Sequence, residues 1–119
     1  MSTVLEKRTS ENIWYSIDCT DGLDAAETIS SITSVAADQG SLAFAGQVAN
    51  TAAITYTDGR VAAIGKAIQV QISAGAIPAG QMLPDGRAGI QCTIRAKYRT
   101  SEGNDREATI LLNLTDKVS

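Results

Sequence analysis

IQCTIRAKYRTSEGNDREATILLNL, residues Ile90–Leu114, decides the fold. Ile90, Cys92, Ile94, Ala96 and Tyr98 alternate with Gln91, Thr93, Arg95, Lys97 and Arg99. Successive side chains of a strand point to opposite faces, so this segment has one dry side and one wet, cationic side. After the polar interval TSEGND the alternation returns. Ala108, Ile110, Leu112 and Leu114 then share one face, and Thr109, Leu111, Asn113 and Thr115 the other. Gly, Asn and Asp in the interval suit a hairpin loop longer than two residues. The stretch predicts two long, paired, antiparallel strands.

Shorter versions of the signal lie upstream. Ile68, Val70 and Ile72 alternate with Gln69, Gln71 and Ser73, and Ile13, Tyr15, Ile17 and Cys19 alternate with Trp14, Ser16 and Asp18. Ala52, Ile54 and Tyr56 lead into Thr57-Asp58-Gly59-Arg60, where Asp-Gly marks a tight turn, and Val61 to Ile64 reads as a short continuation. Both prolines, Pro78 and Pro84, fall in AGAIPAGQMLPDGRAG, which reads as a surface connection. Ser41 to Asn50 reads as a weak strand or loop.

Leu23 to Asp38 supports two readings. Asp24 followed three residues later by Glu27 resembles the capping box of a helix that would carry Ile29, Ile32 and Ala36 on one face. Its β-branched residues and serines favour instead a strand whose face shifts at a bulge between Ile29 and Ile32. The strand is the preferred expectation. Six to eight short strands with little helix bury their half-apolar faces best as two packed antiparallel sheets. A closed barrel is the alternative. The expected organisation is an N-terminal arm over 1–10 and one all-β sandwich domain of about seven short strands over 11–119.

Composition excludes several kinds of function. The 119 residues are enough for one domain with a core, and the net charge is −3 with the basic residues scattered. A nucleic-acid footprint needs a basic stripe, and none is present. No apolar run is long enough to span a membrane as a helix. The N-terminal MSTVLEKRTSENIWYS lacks the basic-then-apolar order of a signal peptide, so synthesis in the cytosol is expected. Cys19 and Cys92 are then read as buried thiols in preference to a disulfide. The chain contains no histidine, which removes the commonest general base and metal ligand.

Candidate chemistry is sparse. Asp18, Asp21 and Asp24 with Gly22 and Glu27 invite a calcium reading, but their spacing does not match a calcium loop, and a solvated turn is preferred. Glu102, Asp105 and Glu107 in the hairpin loop read as solvated charges, since a loop tip cannot hold two carboxylates at fixed separation. Gly86 to Gly89 is too short for a phosphate cradle. Asn113-Leu-Thr115 forms a glycosylation sequon by chance within a core hairpin. No cofactor and no catalytic or metal-binding residue is expected.

Trp14, the only tryptophan, either packs in a strand buried on both faces or covers a partner. Val4 and Leu5 form an apolar pair in the arm, which either frays or adds as a strand to a neighbour's open edge. These residues, with the outward Arg95, Lys97 and Arg99, are the candidate interface.

Lys7, Glu11, Tyr15-Ser-Ile17-Asp18, Glu27-Thr28-Ile29, Gly86-Arg-Ala-Gly89 and Thr100-Ser101-Glu102-Gly103 followed by Arg106-Glu107-Ala-Thr109-Ile110 carry a resemblance. Their arrangement resembles the small immunoglobulin-like virion proteins of tailed bacteriophages, of the fibre–tail adaptor or neck type. Met82-Leu-Pro-Asp-Gly86 stands where that family carries Trp-Leu-Ser-Gly-Gly. The resemblance implies an immunoglobulin-like sandwich, assembly as copies in a ring or array, no enzymatic role, and portal, connector, tail or fibre subunits as partners. It places the protein in the virion, assembled in the host bacterial cytoplasm. Capsid decoration is the alternative within this class, and a carbohydrate- or protein-binding module of a surface adhesin the alternative outside it.

Overall fold

The terminal hairpin forms as its pattern requires. In the computed structural model, which describes residues 4–116, Gly89–Thr100 (β8) and Asp105–Thr115 (β9) pair from Gly89↔Thr115 to Arg99↔Asp105, with Ile94 facing Ile110. Gly103 takes φ +82° in the loop, a conformation that would strain a residue with a Cβ, and the Asn104 carbonyl accepts the Thr100 N–H at 2.8 Å. The dry side of β8 is fully buried from Ile90 to Tyr98.

Five more long strands and one small hairpin surround it among the described residues. Val4–Arg8 (β1), Ile13–Asp18 (β2), Ile29–Ala37 (β3) and Leu42–Ala49 (β4) precede a small hairpin of Ile54–Thr55 (β5) and Val61–Ala62 (β6). Ala67–Ala74 (β7) then leads to β8 and β9. One sheet has the order β1-β9-β8-β3 and the other β2-β7-β4. All pairings are antiparallel except β1 with β9. Taking the strands as A to G, with β5–β6 inserted between D and E, the sheets are C-F-G with A beside G, and B-E-D. This is an immunoglobulin-like β-sandwich. The sheet edges stay open, so the barrel alternative does not apply.

The core lies between the sheets. Ile68, Val70 and Ile72 of β7 and Ile17 of β2 meet Cys92, Ile94, Leu112 and Leu114 of the larger sheet. Cys19 and Cys92 are both buried and free. Cys19 lies beside Tyr98, six positions along β8 from Cys92, and at strand rise that is about 20 Å, too far for a disulfide.

Within Leu23 to Asp38, Ile29–Ala37 takes the bulged-strand form and the residues before it form a turn. β3 shifts register on β8 between Ile29 and Ser31 and again between Ile32 and Ser34. The capping-box residues do engage, the Glu27 carboxylate accepting the Asp24 N–H at 3.1 Å, but they close a turn and start no helix. Ser41 to Asn50, read as weak strand or loop, holds the eight-residue β4. A register shift between Ala45 and Val48 breaks its alternation, which hid the strand in the sequence.

The N-terminal arm is corrected. Residues 1–3 lie outside the described residues, but Val4–Arg8 is an edge strand of the domain and not a loose arm. It pairs with β9 of its own chain. Leu5 packs against the core, and Lys7 is 1% exposed. The Lys7 Nζ donates to the Ala74 carbonyl at 2.5 Å and the Arg8 carbonyl at 2.8 Å. Burial lowers its pKa, against the opposing charge of Glu11. Arg87 adds a clasp from the loop before β8, donating to both Glu6 oxygens at 2.9 and 3.0 Å and to Asp85 at 2.7 Å. The short Gly86–Gly89 segment thus serves to hold β1.

Candidate functional site

The two outer faces of the sandwich differ in kind. On the larger sheet, Arg95, Lys97 and Arg99 are exposed on β8 as the alternation requires. β9 sets acids beside them. Arg95 pairs with Glu107 at 3.3 Å and Arg99 with Asp105 at 3.7 Å, while Lys97 stands directly across from Glu107. Exposed cross-strand pairs of this kind contribute about 0–1 kcal/mol each. The cationic side of β8 is therefore one column of a charge-balanced face.

The outer face of the smaller sheet carries no charged strand residue except Asp18 at the end of β2. β7 presents Gln69, Gln71 and Ser73, because Ile68, Val70 and Ile72 point inward. In register beside them stand Trp14 and Ser16 of β2, and Ala43, Ala45 and Val48 of β4. Asp18, at the end of β2, accepts bonds from Thr20 and Arg60. Trp14 is 54% exposed and Val48 46%. Trp14 is thus on an outer face, and the alternative of a core tryptophan is set aside.

Trp14 lies across this face. Its register partner is Gln71, whose partner on the far side is Ala45, yet the indole reaches Gly46 on β4. A Cβ on Gly46 would stand 2.6 Å from Trp14 Cη2, and Gly46 has φ +67° at the register shift in β4. Gly46 is the flat seat of the indole. Gly46→Ala is expected to tilt the ring and to destabilise the fold by about 1 kcal/mol. A changed Trp14 emission maximum together with a lower melting temperature checks this.

A cavity of about 380 Å³ opens at one side of the sandwich, lined among others by Leu5, Ile17, Tyr56, Arg60, Tyr98 and Ile110. The Tyr56 and Tyr98 hydroxyls are buried and make no hydrogen bond of good geometry to any described residue. Arg60 lies 4.9 Å over the Tyr56 ring and pairs with Asp58 at 2.7 Å and Asp18 at 3.2 Å. Burial pushes the two phenols and the Cys19 thiol each up to about 12. At neutral pH these groups keep their protons and are hydrogen-bond donors.

The acidic residues divide between the turns. Asp18 caps Thr20, so it does not converge with Asp21 and Asp24 on one ion. Carboxylate oxygens of Asp24, Glu27 and Glu102 do lie within 4.8 Å of one another. Glu27, however, is completely buried and already engaged, accepting from Thr100 Oγ1 at 2.5 Å, Asn104 Nδ2 at 2.9 Å and the Asp24 N–H. These bonds, those from Thr100 and Asn104 foremost, hold its carboxyl down at about 2 despite burial. Glu27 locks the turn before β3 to the β8–β9 loop.

The sequence candidates therefore separate. Arg95, Lys97 and Arg99 share the larger sheet's outer face with Val4, which stands on the edge strand β1 in register with Leu111, while Leu5 turns to the core and Trp14 occupies the smaller sheet's outer face. Sequence reasoning missed Gly46, Gln71 and Val48. A signal for them exists: residues 39–57 and 67–84, which hold β4 and β7, contain no charged residue. No helix among the described residues is long and apolar enough to cross a membrane. No protein-family model, curated protein or solved structure matches the chain.

Proposed function

We propose that this protein is a non-enzymatic structural component of a tailed-bacteriophage virion, an adaptor in the neck, tail or fibre-attachment region that works by being held between neighbouring subunits. The observation that carries the reading is the outer face of the β2–β7–β4 sheet, uncharged but for the ion-paired Asp18 at its end, with Trp14 lying across it. Interface centres are depleted in charge and anchored by aromatic side chains, and this face has both properties. The opposite face is ion-paired and solvated, which gives an adaptor one contact side and one wet side. The sequence resemblance supplies the virion as the setting.

The test is particle association. Purified virions are expected to contain the polypeptide, and Trp14→Ala is expected to lower its incorporation while leaving its melting temperature within a few degrees of the parent. Virions that are intact without it would refute the assignment. Binding to heads lacking necks and tails would favour capsid decoration. The exposed indole also suits stacking on a sugar ring, so glycan-array binding lost in Trp14→Ala would favour the adhesin-module reading.

A further inference from the structure

We infer that the cavity between β2 and β9 is a binding site for a small uncharged molecule with an apolar body and a hydroxyl or carbonyl oxygen. The site does not depend on the virion setting or on the contact face of the adaptor reading.

The strand order opens the cavity. β1 joins β9 from Leu111 onward, so among the described residues no strand flanks residues 107–110 on that side. This stretch and residues 16–19 of β2 and its end line a gap of about 380 Å³. That volume lies within the range of about 300–1,000 Å³ usual for small-molecule sites. Leu5, Ile17 and Ile110 give it apolar walls.

Two hydroxyls in the wall select the guest. Tyr98 is 1% exposed, and its hydroxyl makes no hydrogen bond of good geometry to any described residue. The Tyr56 hydroxyl, also buried, makes none either. The Cys19 thiol near both is a weak partner, and it donates to the Ile17 carbonyl at 3.6 Å. Leaving a buried hydroxyl unpaired is costly, and a guest oxygen that accepts from it recovers the loss. Burial keeps both phenols protonated at neutral pH, so each has a hydrogen to give.

Charge narrows the class. Asp18 and Asp21 outnumber the one cation among the described lining residues, Arg60, which pairs with Asp18 and Asp58. An anionic guest would meet those carboxylates and compete with them for Arg60. An ammonium has no lone pair to accept from a phenol, and it would lose its hydration against Ile17 and Ile110. A neutral hydroxyl or carbonyl meets both conditions. Arg60, 4.9 Å over the Tyr56 ring, holds that wall in place.

The experiment titrates the full chain at neutral pH with cyclohexanol, cyclohexanecarboxylate and cyclohexylammonium, following backbone amides by nuclear magnetic resonance. Cyclohexanol is expected to bind with a Kd on the order of 1 mM, as so small a molecule allows, shifting the amides of Ile17, Cys19 and Ile110. Both charged relatives are expected to bind at least about tenfold more weakly. Tyr98→Phe keeps the ring and removes the hydroxyl. It is expected to weaken cyclohexanol about tenfold while leaving the melting temperature at or above the parent's. Tyr56→Phe is expected to act likewise, and Trp14→Ala, on an outer face, to leave binding unchanged. No saturable shift up to about 20 mM cyclohexanol would overturn the inference. So would equal or tighter binding of either charged relative, binding indifferent to both Phe variants, or shifts centred on Trp14. Tighter binding of methyl glucopyranoside than of cyclohexanol would also overturn it, since a polyol has no apolar body.

Discussion

Ile94→Asp is expected to abolish cooperative folding. Ile94 is fully buried in the centre of β8, paired with Ile110 and facing the inner side of β7. Losing its packing costs about 2–5 kcal/mol. A carboxylate there would sit among the apolar side chains of the core, and its desolvation adds several kcal/mol. Together these reach the whole stability of a typical domain, about 5–15 kcal/mol. Ile94→Val, which keeps the face and removes one methyl, is expected to cost only about 1 kcal/mol. Urea unfolding followed by near-ultraviolet circular dichroism separates the outcomes. A soluble, sharply melting Ile94→Asp protein would mean that β8 presents its other side to the core.

Glu27 is the second position of large effect, and its effect depends on pH. In the folded chain the carboxyl titrates at about 2, against an ordinary value of 4.5. A depressed folded value means that the stabilisation is fully present above about pH 4.5 and is lost as the pH falls towards 2. Unfolding in urea across that window is therefore expected to show stability declining with acid. In Glu27→Gln that part of the decline should vanish, because no proton is taken up at this site on unfolding. Glu27→Ala leaves Thr100 Oγ1, Asn104 Nδ2 and the Asp24 N–H without their acceptor and is expected to lower the melting temperature at neutral pH by roughly 10 °C. A Glu27→Gln profile superimposable on the parent's through the acid range would show that the carboxylate is not held as described.

Both positions show how far local pattern reaches. Ile94 was legible because strand alternation has a period of two and reports the buried face directly. Glu27 was legible only as a capping residue, since its local spacing also fits a helix. Its actual partners, Thr100 and Asn104, are more than seventy positions away. The strand in Leu42–Ala49 was faint for a related reason. A bulge at Gly46 inserts residues out of step, and the periodic signal fails where the backbone does. Lys7 gave no sign of burial, because a lysine in a polar stretch looks solvated until a carbonyl from another strand is placed beside it.

The sequence by itself determined the two-sheet all-β character of this protein, the terminal hairpin and its inward set, because those depend on neighbours two residues apart. Only the tertiary structure decided that the first strand joins its own sheet through Leu5 and Lys7. It alone placed Asp105 and Glu107 against the basic side chains of β8 and seated Trp14 on Gly46 within a face whose one charged strand residue is Asp18. Each of these is a meeting of distant segments, set by register between strands and by which sheet a strand enters, and no local period encodes such a meeting.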